Sequence, residues 1–236
     1  LQHFHKIASA ALESQTVYNY VLTDRQGRQV LNTLRPFGKG LPQSGSPPQL
    51  AEVFAAGKTV LTDLFQGPLT GKPIVAMGVP VYGKNGEVIY SLSVGMLPTQ
   101  LNALLQRQSF QHGWLAAIVD SSGTIIGRSR DAERFVGQKA VAELRTVLQT
   151  THHGSLSTLT KEGIPVATAY ARSPLWKWSV VTGAPKSLIE TEMFRMFAGL
   201  GAAALLLIVM GSWLALCITQ RVLSSVHYLN DAAGEG

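Results

Sequence analysis

The chain has 236 residues, 46% of them hydrophobic and only 14% charged, with 20 Lys and Arg against 14 Asp and Glu. That composition excludes intrinsic disorder and a coiled coil throughout, and the length suits one large or two small domains. The lone cysteine, Cys217, excludes an intramolecular disulfide, a zinc knuckle and a CxxC redox pair.

The opening LQHFHKIASAALESQ lacks the apolar stretch and cleavage signal of a secretory leader. Ile7, Ala10, Ala11 and Ser14 recur at helical spacing, so residues 1–16 are expected to be the later part of a long helix. From residue 17 one order of signals occurs twice: strand, polar turn, strand, helix, then further strands. VYNYVL runs into Asp24-Arg25-Gln26-Gly27, and LAAIVD into Asp120-Ser121-Ser122-Gly123. Gly71-Lys72-Pro73-Ile74-Val75-Ala76 is echoed by Gly163-Ile164-Pro165-Val166-Ala167. Each copy holds one expected helix, over 48–56 and 138–149, and TQLNALLQRQ, over 99–108, predicts an amphipathic helix between the copies. Strands alternate in IVAMGVPVY and EVIYSLSVGM, and again in GSLSTL, IPVATAYA and KWSVVTGA. The expected class is α+β, with small antiparallel sheets and helices beside them.

From Met196 to Gln220 the chain runs MFAGLGAAALLLIVMGSWLALCITQ, bracketed by Arg195 and Arg221. A bilayer core about 30 Å thick takes about 20 apolar helical residues, so this run predicts a transmembrane helix. Gly199, Gly201, Ala202, Ala203 and Ala204 form a small-residue patch suited to a second helix, which favours a homodimer. Lys186 and Arg195 on one side balance Arg221 and His227 on the other, so charge leaves the orientation open. Residues 1–195 alone carry +7, but their Lys and Arg are scattered singly, which argues against nucleic acid as a partner.

No catalytic constellation stands out. His152 and His153 are adjacent and cannot converge on one metal from a helix or a strand, and they are expected in a polar turn. His3 and His5 sit at a spacing that a helix does not bring together. Gly38-Lys39-Gly40 lacks the spacing and the Ser or Thr of a phosphate-binding loop, and no GxSxG elbow occurs. Asp63, Glu87, Asp120 and Asp131 stand singly rather than in acid/base pairs, and Asp120 is expected to bond its own turn. Neither a cofactor nor a metal is expected.

The stretches DLFQGPLTGKPIVAMGVPVYGKNGEVIYSLSVGM, IVDSSGTIIGRSRDAERFVGQKA and GIPVATAYARSPLWKWSVVTGAPKSLI resemble the double Cache sensor domain of bacterial transmembrane receptors. The resemblance implies a long N-terminal helix (1–16), a membrane-distal PAS-like Cache domain (17–97) and a linking helix (98–112). A membrane-proximal Cache domain (113–188) and a juxtamembrane and transmembrane helix (189–220) would follow. VLSSVHYLNDAA resembles the first helix of a HAMP-type linker (221–236), although Ser224 or Ser225 stands where such linkers carry proline. The resemblance places residues 1–195 in the periplasm and 221–236 in the cytoplasm, on an inner-membrane receptor with a further transmembrane helix upstream. Its output would be a histidine kinase of a two-component system, or alternatively a diguanylate cyclase or chemoreceptor module. A membrane-anchored protein-interaction module is the rival of another class.

A PAS-like sheet curves over an apolar cavity suited to a small molecule. Candidate ligand contacts in the first domain are Tyr18 or Tyr20, Arg35 and Lys39, Asp63 and Phe65, and Met77. Arg35 or Lys39 would hold a carboxylate and Asp63 an amine. Amino-acid-binding relatives carry an aspartate three residues before a Thr-Gly pair, where this chain has Gly67, and no Trp precedes Trp114, which disfavours an amino acid. Trp176 and Trp178 are expected to pack.

Overall fold

Two turns built on aspartate stand at corresponding places in the two halves of residues 17–185. The computed structural model describes residues 1–12, 17–43, 45–108, 110, 111 and 113–233. A short helix α1 (Gln2–Leu12) of 11 residues stands where a long helix was expected, and Ser14 lies outside the described residues. Strands β1 (Asn19–Thr23) and β2 (Gln29–Asn32) are joined by a turn in which Asp24 Oδ1 accepts the N–H groups of Gln26 and Arg28 at 3.0 and 2.9 Å. Gly27 supplies the positive φ of 79° that this turn requires.

A 3-10 turn (Pro48–Leu50) leads into α2 (Ala51–Ala56), which ends at the left-handed Gly57. Strands β3 (Val60–Leu61), β4 (Phe65–Gln66), β5 (Pro73–Tyr82) and β6 (Val88–Met96) complete an antiparallel sheet of order β2-β1-β6-β5-β3, with β4 also on β5. Helix α3 (Pro98–Gln106) follows, then β7 (Leu115–Val119), β8 (Ile125–Arg128), α4 (Ala132–Phe135), α5 (Ala142–Thr150), β9 (His153–Leu159), β10 (Pro165–Arg172) and β11 (Ser179–Pro185). The second sheet has the order β8-β7-β11-β10-β9, strand for strand that of the first. The molecule is thus mixed α and β with two antiparallel PAS-like sheets.

Two elements begin elsewhere than the sequence suggested. The helix expected from Gln138 starts at Ala142, because residues 138–140 are tied to the β7–β8 segment: Ile125 N–H donates to Gln138 O and Ala140 N–H to Gly123 O, both at 2.9 Å. His153, expected in a turn, opens β9 and pairs with Ala171.

One core spans both sheets. Fully buried Val75 of β5 shares a cluster with Leu101 and Leu105 of α3 and with Ala116, Ile118 and Ile126 of the second sheet, and Trp178 packs against it. Each such aliphatic side chain contributes about 1.5–3 kcal/mol by leaving water, so α3 is held from both sides. A second cluster, including Val119, Phe135, Leu144 and Val181, lies between the second sheet and helices α4 and α5.

Residues 1–185 form one compact unit and residues 186–236 another. The latter holds α6 (Lys186–Ala233), whose stretch Lys186–Leu214 has 29 residues and an 18-residue window with a mean hydropathy of 2.1, long and apolar enough to cross a membrane. Its Leu205, Leu206 and Ile208 are more than half exposed.

Candidate functional site

The period-two alternation of β1 places Asn19, Val21 and Thr23 on one face of the first sheet. Register sets Gly95 beside Asn19 and Ser93 beside Val21 on β6, with Ile74 and Ala76 of β5 on the same face. On β2, residues three apart would ordinarily point to opposite faces. A bulge opposite Leu22 and Thr23 pairs Thr23 with Gln29 but Val21 with Asn32, so both amides turn to this face.

Above this floor, Tyr18, Pro47, Leu50, Phe65, Pro68 and Leu69 form an apolar rim. They enclose a cavity of about 490 Å³, the solvent at its mouth included. Among the described residues no Asp, Glu, Lys, Arg or His lines it. A Cβ at Gly95 would overlap Asn19 Oδ1, so glycine is what lets the amide lie flat on the sheet.

The floor is polar and only partly satisfied. Asn19 Nδ2 donates to Asn32 Oδ1 at 3.2 Å, Leu34 N–H donates to the same oxygen at 3.0 Å, and Asn32 Nδ2 donates to Gln29 Oε1 at 2.8 Å. Asn19 Oδ1, Thr23 Oγ1 and Ser93 Oγ have no partner among the described residues, although none of the three residues is more than 3% exposed. Leaving such a group unpaired costs about 1–3 kcal/mol. All three residues line this one cavity, so its floor retains unused hydrogen-bonding capacity.

Of the residues singled out from sequence, Tyr18 and Phe65 line this cavity. Tyr20 and Met77 fall on the opposite face, both facing Val94 in register, and Tyr20 N–H donates to Thr33 Oγ1 at 2.9 Å. Arg35 and Lys39 line a separate groove with His5 and Phe37, where Arg35 Nη1 donates to Gly40 O at 2.7 Å and His5 Nε2 meets Arg35 O at 2.9 Å.

Asp63 is engaged between the sheets. Its carboxylate accepts Ser121 N–H at 2.9 Å and Ser121 Oγ–H at 2.7 Å, and Gln49 Nε2 reaches it at 3.4 Å. In return Asp120 Oδ2 accepts Leu64 N–H at 3.1 Å, while its Oδ1 accepts Ser122 and Thr124 N–H within its own turn, the role expected of it. These reciprocal bonds join the β3–β4 loop of the first sheet to the β7–β8 turn of the second.

Asn19, Thr23, Gln29, Asn32 and Ser93 were not singled out from sequence. The available signal was polar or small residues at period two in strands, NYVLT and SLSVG, whose other face is apolar. The β2 bulge had no such signal. Among the described residues no three of His, Cys, Asp and Glu gather as a metal site.

No protein-family model matches the sequence, and comparison with curated proteins gives no match. Solved structures do match in fold. The extracellular domain of rpHK1S-Z16, assigned as a histidine kinase, superposes with a TM-score of 0.64 at 12% identity over 79% of this chain and 78% of that one. The ligand-binding domain of the Pseudomonas aeruginosa amino acid chemoreceptor PctB, in complex with L-Arg, gives 0.61 at 13% identity over 84% and 78%. The sensor domain of the Vibrio cholerae histidine kinase DctB gives 0.54 at 12% identity over 77% of each chain. The fold of residues 1–185 is therefore the one such Cache-type sensor domains share.

Proposed function

Starting from that shared fold, we propose that this chain is the extracytoplasmic sensor and membrane helix of a bacterial receptor, and that its first sheet binds a small, uncharged, polar metabolite. The observation that carries the reading is the trio of buried, unpartnered oxygens on Asn19, Thr23 and Ser93 beneath an apolar rim that includes Tyr18 and Phe65. A free amino acid or dicarboxylate would place a formal charge against a lining that carries none among the described residues, at a heavy desolvation cost, the nearby cation being Lys72, whose Nζ lies outside the lining at 5.7 Å from the Tyr18 ring. A neutral guest with hydroxyl or amide groups pairs the oxygens at no such cost.

In this reading residues 17–97 form the membrane-distal sensor domain and 113–188 the proximal one, with residues 1–195 periplasmic. Residues 196–220 cross the inner membrane as the apolar part of α6, and 221–236 begin a cytoplasmic linker. The small patch at Gly199 and Gly201 pairs two copies into a homodimer. The output is a histidine kinase, as in two of the three structural neighbours described above; a diguanylate cyclase or chemoreceptor module would use the same input. The Asp63–Ser121 and Asp120–Leu64 bonds pass a shift at the first sheet to the second.

Thermal unfolding of the whole chain in detergent, against neutral polyols, amides and nucleosides alongside amino acids and carboxylates, tests this. A guest at 100 times its Kd adds about 2.7 kcal/mol, a shift of several degrees. The expected hit is neutral, and Asn32→Ala weakens it about tenfold or more. A charged amino acid as the sole hit, unaffected by Asn32→Ala, overturns the reading.

A further inference from the structure

The second sheet encloses a cavity of its own, with different chemistry. Leu115 and Val119 of β7, Val166 of β10, Val181 of β11 and Leu144 of α5 wall a space of about 510 Å³, its mouth included. The charged side chains lining it are both cations, Arg128 and Lys161.

Arg128 ends β8 opposite Ala117 and is only 2% exposed. Its guanidinium carbon stands over the Phe135 ring, 4.2 Å from its centre, within cation–π range. Nη2 donates to Glu162 Oε2 at 2.8 Å, from the β9–β10 turn. Nη1 is buried and has no partner among the described residues. A guanidinium offers a fork of donors matched to a carboxylate, and Glu162 occupies only one prong.

We propose that this cavity is a second ligand site, and that it takes a short aliphatic monocarboxylate. The carboxylate pairs with the open edge of Arg128, with Lys161 adding positive potential, and the alkyl tail lies along the valine and leucine wall. The aliphatic wall, in which Thr158, Thr160 and Thr168 are the hydroxyl-bearing members and Thr160 Oγ1 already accepts Glu162 and Ile164 N–H, would strand most polar groups of a sugar or nucleoside. Glu162 acts as a resident anion that the ligand must share with or displace, so its charge sets the affinity. The site is independent of the neutral-ligand cavity on the first sheet.

The test is isothermal titration of the full chain in detergent with hexanoate, against hexanamide, which has the same length without the charge, and against detergent alone. Saturable one-site binding of hexanoate is expected, with hexanamide about tenfold weaker or more. Arg128→Met should abolish hexanoate binding, and Glu162→Gln, which keeps the hydrogen-bonding shape and removes the competing charge, should tighten it several-fold. If Arg128→Met does not fold, the Glu162→Gln result decides. Absence of saturable hexanoate binding overturns the proposal. So does equal binding of hexanamide, unchanged affinity in Glu162→Gln, or loss of hexanoate binding in Asn32→Ala, which would place it on the first sheet.

Discussion

The two sheets share one strand order and differ in what their concave faces carry. The first has an uncharged floor of amides and hydroxyls, made possible by glycines at 78 and 95 and by the β2 bulge. The second has a mainly aliphatic floor, with Thr158 and Thr168 among it, and one buried guanidinium. The equivalent turns differ in the same manner: Asp24 spends its second oxygen on its own Arg28 at 2.8 Å, whereas Asp120 spends it on Leu64 of the other sheet. A duplicated scaffold thus keeps its backbone hydrogen bonding while side chains on one face diverge, because strand pairing depends on main-chain groups and the pockets do not.

The largest expected effect breaks the equivalence of the two turns. Asp120→Ala strips acceptors from buried Thr124 N–H and from the bond between the sheets, and should cost about 2–3 kcal/mol, while Asp24→Ala in the exposed turn should cost about 1 kcal/mol. Urea unfolding of both variants checks this. Equal losses would mean that the bond to Leu64 contributes nothing to stability.

A smaller contrast sets the glycines of the two floors against each other. Gly95→Ala must push Asn19 aside and should lose about 1–2 kcal/mol together with ligand binding at the first sheet. At Gly183 of the second sheet an added Cβ would meet Val166 no closer than 3.5 Å, so Gly183→Ala should stay within about 0.5 kcal/mol. Melting temperatures of the two variants separate the cases.

The smallest effect is electrostatic and belongs to the second sheet. Partial burial opposes ionisation of Glu162, but the hydrogen bond and charge of Arg128 outweigh it and hold the carboxyl below its ordinary value of 4.5. A lowered folded-state pKa means that its stabilisation is fully present above pH 4.5 and is lost as pH falls through the folded value. Asp24 shifts in the same direction: desolvation opposes ionisation there too, and the bonds to Arg28 outweigh it. The measurement is therefore wild type against Glu162→Gln. Their difference in stability should shrink as pH drops below 4.5, and a difference independent of pH would remove Glu162 from the acid response.

Much of the fold was legible in residue order because it is encoded locally. Asp and Gly at fixed offsets make the two turns, period-two alternation makes β6 and β10, and the unbroken apolar run makes α6. The helix that was expected at Gln138 shows where local reading stops, since helical propensity there lost to long-range pairing with β8.

The candidate site was legible only at Tyr18 and Phe65. Charge is conspicuous in a sequence but does not say where a side chain is spent: Asp63 reaches Ser121, 58 positions away, and Arg35 closes on its own loop at Gly40. What residue order alone determined was the kind of each element and the repetition of their order, since both follow from backbone preferences over a few neighbours. Only the tertiary structure decided which side chains share a cavity. A one-residue bulge turns Gln29 and Asn32 to the same face, and the β9–β10 turn brings Glu162 to the guanidinium of Arg128, 34 positions away, choices that no local preference specifies.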